Sequence, residues 1–227
     1  MSFADREEAG ERLATVLAAY RGTDAVVLAL PRGGVEVGLP VARALGLPLD
    51  LLLVRKIGVP FQPEVAMGAI VDGDRPEVVR NEDVIRYAGI SDKDFDAACR
   101  KQLEEIERRR GVYLKGREPV PVGGRTAIVV DDGVATGATL KAALKGLAAK
   151  NPRHIVVAMP VIPASLIPEL EELAEKVICL EDLGPIGAVG AHYRHFLQLE
   201  DADVVACLDA AAKPAAASPA GGGPPPA

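Results

Sequence analysis

The stretch Ile128-Val129-Val130-Asp131-Asp132-Gly133-Val134-Ala135-Thr136-Gly137-Ala138-Thr139-Leu140 decides how this chain is read. The run from Arg125 to Val130 reads as a buried strand. Its β-branched composition suits a strand buried on both faces. It delivers two adjacent carboxylates, Asp131 and Asp132, to its C-terminal end, the edge where open α/β sheets bind ligands. Small residues follow, and an Ala/Leu-rich helix is expected from Thr136 to Lys150. Amides at the start of such a helix, aided by its dipole, suit an anion. Thr136 and Thr139 add hydroxyl donors, while Gly137 and Ala138 let the backbone approach closely. No Gly-Lys-Ser/Thr sequence follows, so this is not a Walker A loop. Bare acids beside a phosphate would repel it unless they faced hydroxyls or a cation. A sugar phosphate meets both conditions: the loop takes the phosphate and the acids take ribose hydroxyls.

The flanking sequence alternates strand and helix without an internal repeat. Ala25 to Leu30 reads as a buried strand running into Pro31-Arg32-Gly33-Gly34, and Val35 to Leu45 as a helix closed by Gly46. Leu49 to Val54 reads as a second buried strand ending in Arg55-Lys56. Arg153 to Pro160 and Lys176 to Leu180 are further strands, separated by a helix from Ser165 to Ala174. This alternation predicts an α/β fold: a doubly wound, mainly parallel sheet with right-handed crossovers. A helix from Asp5 to Tyr20 precedes it, with Ala9, Leu13, Val16, Leu17 and Tyr20 on one face. Residues 57–80, broken by Gly and Pro into short strand-like pieces at Ala66–Val71 and Glu77–Arg80, read as a mobile hairpin or loop and not as core. Asp92 to Tyr113 reads as a charged helix whose surface is solvated. Residues 1–210 form the expected domain, and 211–227, rich in Ala, Pro and Gly, an expected disordered tail.

Composition narrows the function. Aromatic residues make up 4% of the chain and Trp is absent, so Val, Leu, Ile and Ala must build the core. A formal net charge of -6 argues against nucleic-acid binding, which needs Lys and Arg to neutralise phosphates. Cys99, Cys179 and Cys207 are far apart and suit reduced thiols, and no apolar leader opens the chain. No 18-residue apolar stretch is present, so no membrane span is expected. The expected location is the cytoplasm.

The 128–140 stretch resembles the motif that binds 5-phosphoribosyl 1-pyrophosphate (PRPP) in type I phosphoribosyltransferases. The likeness extends over roughly residues 22–210 and is nearest to a bacterial group whose acceptor is unassigned. It implies that Asp131 and Asp132 contact the ribose 2′- and 3′-hydroxyls. Ala135, Thr136, Gly137, Ala138 and Thr139 would form the 5′-phosphate loop. Pro31, Arg32, Gly33 and Gly34 would form the pyrophosphate loop, with a cis Pro31–Arg32 bond that turns amides toward the ligand. Arg55 and Lys56 would add charge facing the pyrophosphate. The catalytic set implied is Arg32, Lys56, Asp131 and Asp132.

The activity implied is Mg²⁺-dependent transfer of a phosphoribosyl group from PRPP to a nitrogenous base or related small acceptor, with release of pyrophosphate. Mg²⁺ would be held through the ligand, with Asp131 and Asp132 alongside, and not by the protein alone. Hypoxanthine-guanine enzymes carry an acid at the position of Ala135, adenine-type enzymes do not; Ala135 therefore leaves positioning and charge to drive transfer. Hood elements over the acceptor are expected at 92–115 and 184–201. There Tyr193 or Phe196 either stacks on a base or packs in the core, and Asp201 caps the last helix. His192 and His195 lack a third metal ligand. Ile57 to Ala69, with Gln62, Glu64 and Met67, is the expected lid. A homodimer is expected by the same likeness. Two other readings use this fold: a PRPP- or nucleotide-sensing module without turnover, and hydrolysis of a ribosyl phosphate.

Overall fold

A computed structural model describes residues 2–72, 76–185 and 187–213. Five parallel strands form the central sheet in the order β2 (Leu49–Leu51), β1 (Val26–Ala29), β6 (Thr126–Val130), β7 (His154–Ile162), β8 (Lys176–Asp182). Side chains alternate across it as strand geometry requires. Val27, Ala29, Ile128, Val130, Val156 and Ala158 face a core closed by α1 (Arg6–Val16), α2 (Gly33–Leu45) and α7 (Asp201–Ala212). Val26, Leu28, Ala127, Val129, Ile155 and Val157 face a second core under α5 (Ala138–Ala148) and α6 (Ile167–Glu171). Both faces are dry, which is why these strands read as unbroken apolar runs.

Several boundaries differ from expectation. The first helix stops at Val16, with a short 3₁₀ turn at Ala18–Tyr20, and Val16 is half exposed while Arg6 is buried. The run expected as one strand from Leu49 to Val54 breaks at Leu52–Leu53. The parallel strand β2 ends before it, and β3 (Val54–Val59) begins a separate antiparallel sheet with β4 (Gln62–Val71) and β5 (Glu77–Arg80). Thus the strand-like pieces expected at 66–71 and 77–80 are strands, while the segment expected as a mobile hairpin or loop apart from the core is mostly sheet with a core of its own. With α3 (Glu82–Ala88), absent from the sequence reading, and α4 (Asp92–Tyr113), it closes a small core of Ile57, Val59, Met67, Ile70, Ile85, Phe95 and Ile106. Met67, expected on a lid, is fully buried there. Residues 73–75 lie outside the described set. The last helix runs to Ala212, past the expected tail boundary, and the tail from 214 on is likewise outside it. No helix among the described residues is long and apolar enough to cross a membrane.

Candidate active site

The chain leaves β1 toward one face of the sheet and leaves β6 toward the other. These neighbouring strands are therefore the switch point, and a crevice must open beyond their C-terminal ends. After β1 the Pro31–Arg32 peptide is cis, as expected, and Gly33 opens α2. After β6 come Asp131, Asp132 and the 133–137 turn. Val134 anchors that turn: it is buried and its amide donates to the Val161 carbonyl at 2.9 Å. Gly137 takes a left-handed conformation (φ 73°) as the residue before α5, and no side chain caps that helix. Ala135, Thr136, Ala138 and Thr139 are exposed. The first amides of α5 therefore face an open turn of small residues, which is what an anion needs. Pro31, Arg55, Asp131 and Thr139 line one cavity, which brings together four of the segments expected to converge.

The two acids sit differently. Asp131 accepts from the Asp132 amide at 2.9 Å. Burial, and next the Asp132 charge, hold its pKa well above the usual carboxylate range. Burial also raises Asp132, but Arg6 opposes it: Arg6 Nε donates to Asp132 Oδ2 at 2.8 Å. The Asp132 carbonyl accepts from the Tyr193 hydroxyl at 2.5 Å. Tyr193 is 2% exposed and packs against Phe3 and Phe196, so it is a core residue that fixes the acid turn and not a face for a base. Phe196 keeps part of its surface exposed, but Tyr193 stacks on its ring and the Arg6 guanidinium lies 3.9 Å from the ring centroid. Tyr193→Phe is expected to cost about 1 kcal/mol, the net value of one hydrogen bond. Chemical denaturation checks this as a lower midpoint with an unchanged slope.

Arg55 and Lys56 do not end a parallel strand; they lie inside β3 and point to opposite faces. Arg55 Nε donates to Gln102 of α4 at 3.0 Å. Lys56 pairs across the ladder with Ala69, on the side that Val71 presents to Gly146 of α5, and its Nζ donates to the Glu64 carbonyl at 3.1 Å. Only Arg55 lines the cavity. Arg32 is exposed, and its guanidinium donates to the Leu199 carbonyl.

A phosphoribosyl transferase domain model matches residues 5–191. The chain belongs to this family. The match takes in both strand-end loops and the acid pair. The Mycobacterium tuberculosis protein named "Putative phosphoribosyl transferase Rv0571c" is 47% identical over 210 residues, 92% of this chain, and its counterpart from a second strain, MT0597, matches equally. The chain spans about half the length of these curated relatives. The crystal structure of TT1426 from Thermus thermophilus superposes with a TM-score of 0.81 at 40% identity, covering 92% of this chain and 98% of that one.

Two residues of the candidate site carry no local motif in the sequence. Arg109, on α4, lines the cavity with Asp131, yet in sequence it is one of three consecutive arginines on a charged helix. Arg6 did leave a signal. It falls three residues before Ala9 and seven before Leu13, so it is a charge on the apolar stripe of α1, and a buried arginine is rare unless paired. The expected hood segments also resolve. Residue 186 is outside the described set; within the rest of 184–201, Val189 packs on Gly133 and Tyr193 reaches the Asp132 carbonyl, both at the acid turn. Glu200, and not Asp201, caps α7 through a reciprocal pair with Asp203, while Asp201 accepts from the Tyr113 hydroxyl at 2.7 Å. His192 Nε2 lies 3.1 Å from the Leu183 carbonyl. Among the described residues no group of three or more His, Cys, Asp or Glu side chains is arranged for a metal.

Proposed function

We propose that this domain transfers a phosphoribosyl group from PRPP to a nitrogenous base or related acceptor, with Mg²⁺ as cofactor, and releases pyrophosphate. One observation carries the reading: the Pro31 loop, Arg55, Asp131 and Thr139 meet in a single cavity beside an uncapped helix start. The Ala135–Thr139 amides and hydroxyls take the 5′-phosphate. Asp131 and Asp132 accept the ribose hydroxyls. The Pro31–Gly34 loop with Arg32 and Arg55 takes the pyrophosphate, and Arg109 adds charge from α4. Lys56, on the other face of β3, reaches pyrophosphate only by leaving Glu64.

In the transfer, the bond from the sugar C1 to the pyrophosphate oxygen breaks with its electron pair leaving on that oxygen, a C1–N bond forms, and the acceptor nitrogen gives its proton to water. Ala135 offers no base for it, so the chain's contribution is orientation and charge stabilisation. The carboxylate oxygens of Asp131 and Asp132 are hard donors of the kind that suit a cation keeping most of its waters and ligand oxygens. Asp131 and Asp132 would stand beside Mg²⁺ bound with PRPP, which would supply positive charge for the leaving pyrophosphate.

The test is a pyrophosphate-release screen with PRPP and Mg²⁺ against a panel of bases. Release that depends on one base supports transfer; release without any base points to hydrolysis. PRPP binding with no release across the panel points to a sensor. Arg32→Ala is expected to lower turnover roughly tenfold, about the worth of one charge-assisted hydrogen bond, while nucleotide monophosphate binding changes little. Unchanged turnover removes Arg32 from the site.

A further inference from the structure

The proposed reading leaves one buried cation unused. Arg6 is 6% exposed and stands on the first turn of α1, far from every strand-end loop in sequence. Its place is set from two sides. The helices α1 and α2 cross closely at Gly10, where a Cβ would fall 2.4 Å from the Val37 carbonyl oxygen. One turn earlier, Arg6 therefore meets the start of α2 and the acid turn beside it. From the other side, the segment after Tyr193 supplies the Leu197 carbonyl, 3.0 Å from Arg6 Nη1, and the Phe196 ring beneath the guanidinium. Glu36 completes the setting at 3.5 Å.

All of this converges on one atom. Arg6 Nε holds Asp132 Oδ2, and Gly33 packs so closely on that oxygen that a Cβ would fall 1.9 Å from it. Arg6 Nε and the close seat of Gly33 thus restrict the Asp132 carboxylate, whose other oxygen, Oδ1, lies 3.1 Å from the same Cβ position. We propose that Arg6 is a positioning residue for sugar recognition: it fixes the Asp132 carboxylate so that Oδ1 meets a ribose hydroxyl, and Phe196 and the Leu197 carbonyl hold Arg6 in turn. The proposal rests on the sugar-phosphate reading of the site. Its content is that the first helix and the segment after Tyr193, neither of which contributes a strand-end loop, set the aim of the acid. A planar guanidinium with a directional Nε–H suits that task better than an ammonium.

Ligand pairs separate positioning from mere support of the fold. Arg6→Met, Arg6→Lys and the parent are titrated by calorimetry with ribose 5-phosphate, which needs both the loop and the acids, and with inorganic phosphate, which needs the loop alone. Arg6→Met is expected to bind ribose 5-phosphate roughly tenfold or more weakly, the worth of a charge-assisted hydrogen bond, with inorganic phosphate affinity unchanged. Arg6→Lys is expected to recover only part of the loss. Equal weakening of both ligands would make Arg6 a structural residue, and no change in either would remove it from the site. Should Arg6→Met fail to fold, Phe196→Leu, which loosens the guanidinium without removing it, must show the same selective loss. A parent that binds phosphate but not ribose 5-phosphate would overturn the sugar-phosphate reading itself.

Discussion

The double variant Asp131→Asn, Asp132→Asn is expected to bind PRPP roughly a hundredfold or more weakly than the parent while remaining folded. A hydrogen bond to an ionised carboxylate contributes about 1.5–3 kcal/mol, and two are lost. The fold is expected to survive because the loss of each acid is offset. Asp131 is a buried acid held well above its ordinary pKa by burial and by its neighbour, so its ionisation opposes folding. Asp132 offsets the buried Arg6 charge, but Glu36 and the Leu197 carbonyl still face that guanidinium when Asp132 is gone. The pH dependence has a definite sign. With its folded pKa raised, Asp131 imposes no penalty at pH below the ordinary carboxylate value of 3.8. The penalty grows as pH climbs through the window up to the raised value and is constant above it. The single variant Asp131→Asn is therefore expected to be more stable than the parent at neutral pH, with an advantage that shrinks as pH falls toward 4. Denaturation midpoints across that range, with PRPP titrations at neutral pH, check both halves. A PRPP affinity within threefold of the parent would detach the acids from the sugar.

The same acids show what the sequence discloses. Two carboxylates after an apolar run, followed by small residues and a helix, can be placed at a sheet edge from local pattern alone. The strand end, the turn and the helix start are contiguous there. The Pro31 loop was legible for the same reason. What was not legible depends on contacts between distant segments. The break at Leu52–Leu53 interrupts an apolar run with no Gly or Pro to mark it, and it is set by a switch from parallel pairing with β1 to antiparallel pairing with β4. That switch turned Lys56 away from the cavity and left Arg55 facing it. Met67 sits among glycines and a proline that suggested a loop, yet it faces Phe95 and Ile106 of a helix that the sequence could not assign to this sheet. Tyr193 was ambiguous because an aromatic near a ligand edge stacks or packs with equal chemistry. Only the placement of Phe3 beside it decides for packing.

Gly34→Ala is expected to have the second large effect, and through backbone alone. A Cβ at position 34 would stand 2.7 Å from the Val130 carbonyl oxygen and 2.9 Å from the Asp131 Cα. Neither neighbour is the free end of a side chain. Val130 is locked into the sheet between β1 and β7, and its carbonyl accepts the Leu30 amide at 2.9 Å. The added methyl must therefore push the Pro31–Gly34 loop away from the acid turn. Overpacking of this kind costs typically about 1–3 kcal/mol of stability. Its functional cost is larger, because the two loops must hold one ligand at fixed separation, and a displacement near 1 Å can cost about a hundredfold in rate. The expected outcome is pyrophosphate release lowered roughly a hundredfold, with PRPP binding weakened and inorganic phosphate binding at the Ala135–Thr139 turn retained. This pattern distinguishes the variant from general unfolding, which would remove both. Gly46→Ala serves as the control: it lies at the far end of the same helix with nothing within 4 Å of an added Cβ, so it strains only its own left-handed backbone and should leave turnover intact. If Gly34→Ala turns over like the parent, the close seat of the Pro31 loop on the acid turn has no part in the reaction, and the cavity that joins them is not where PRPP sits.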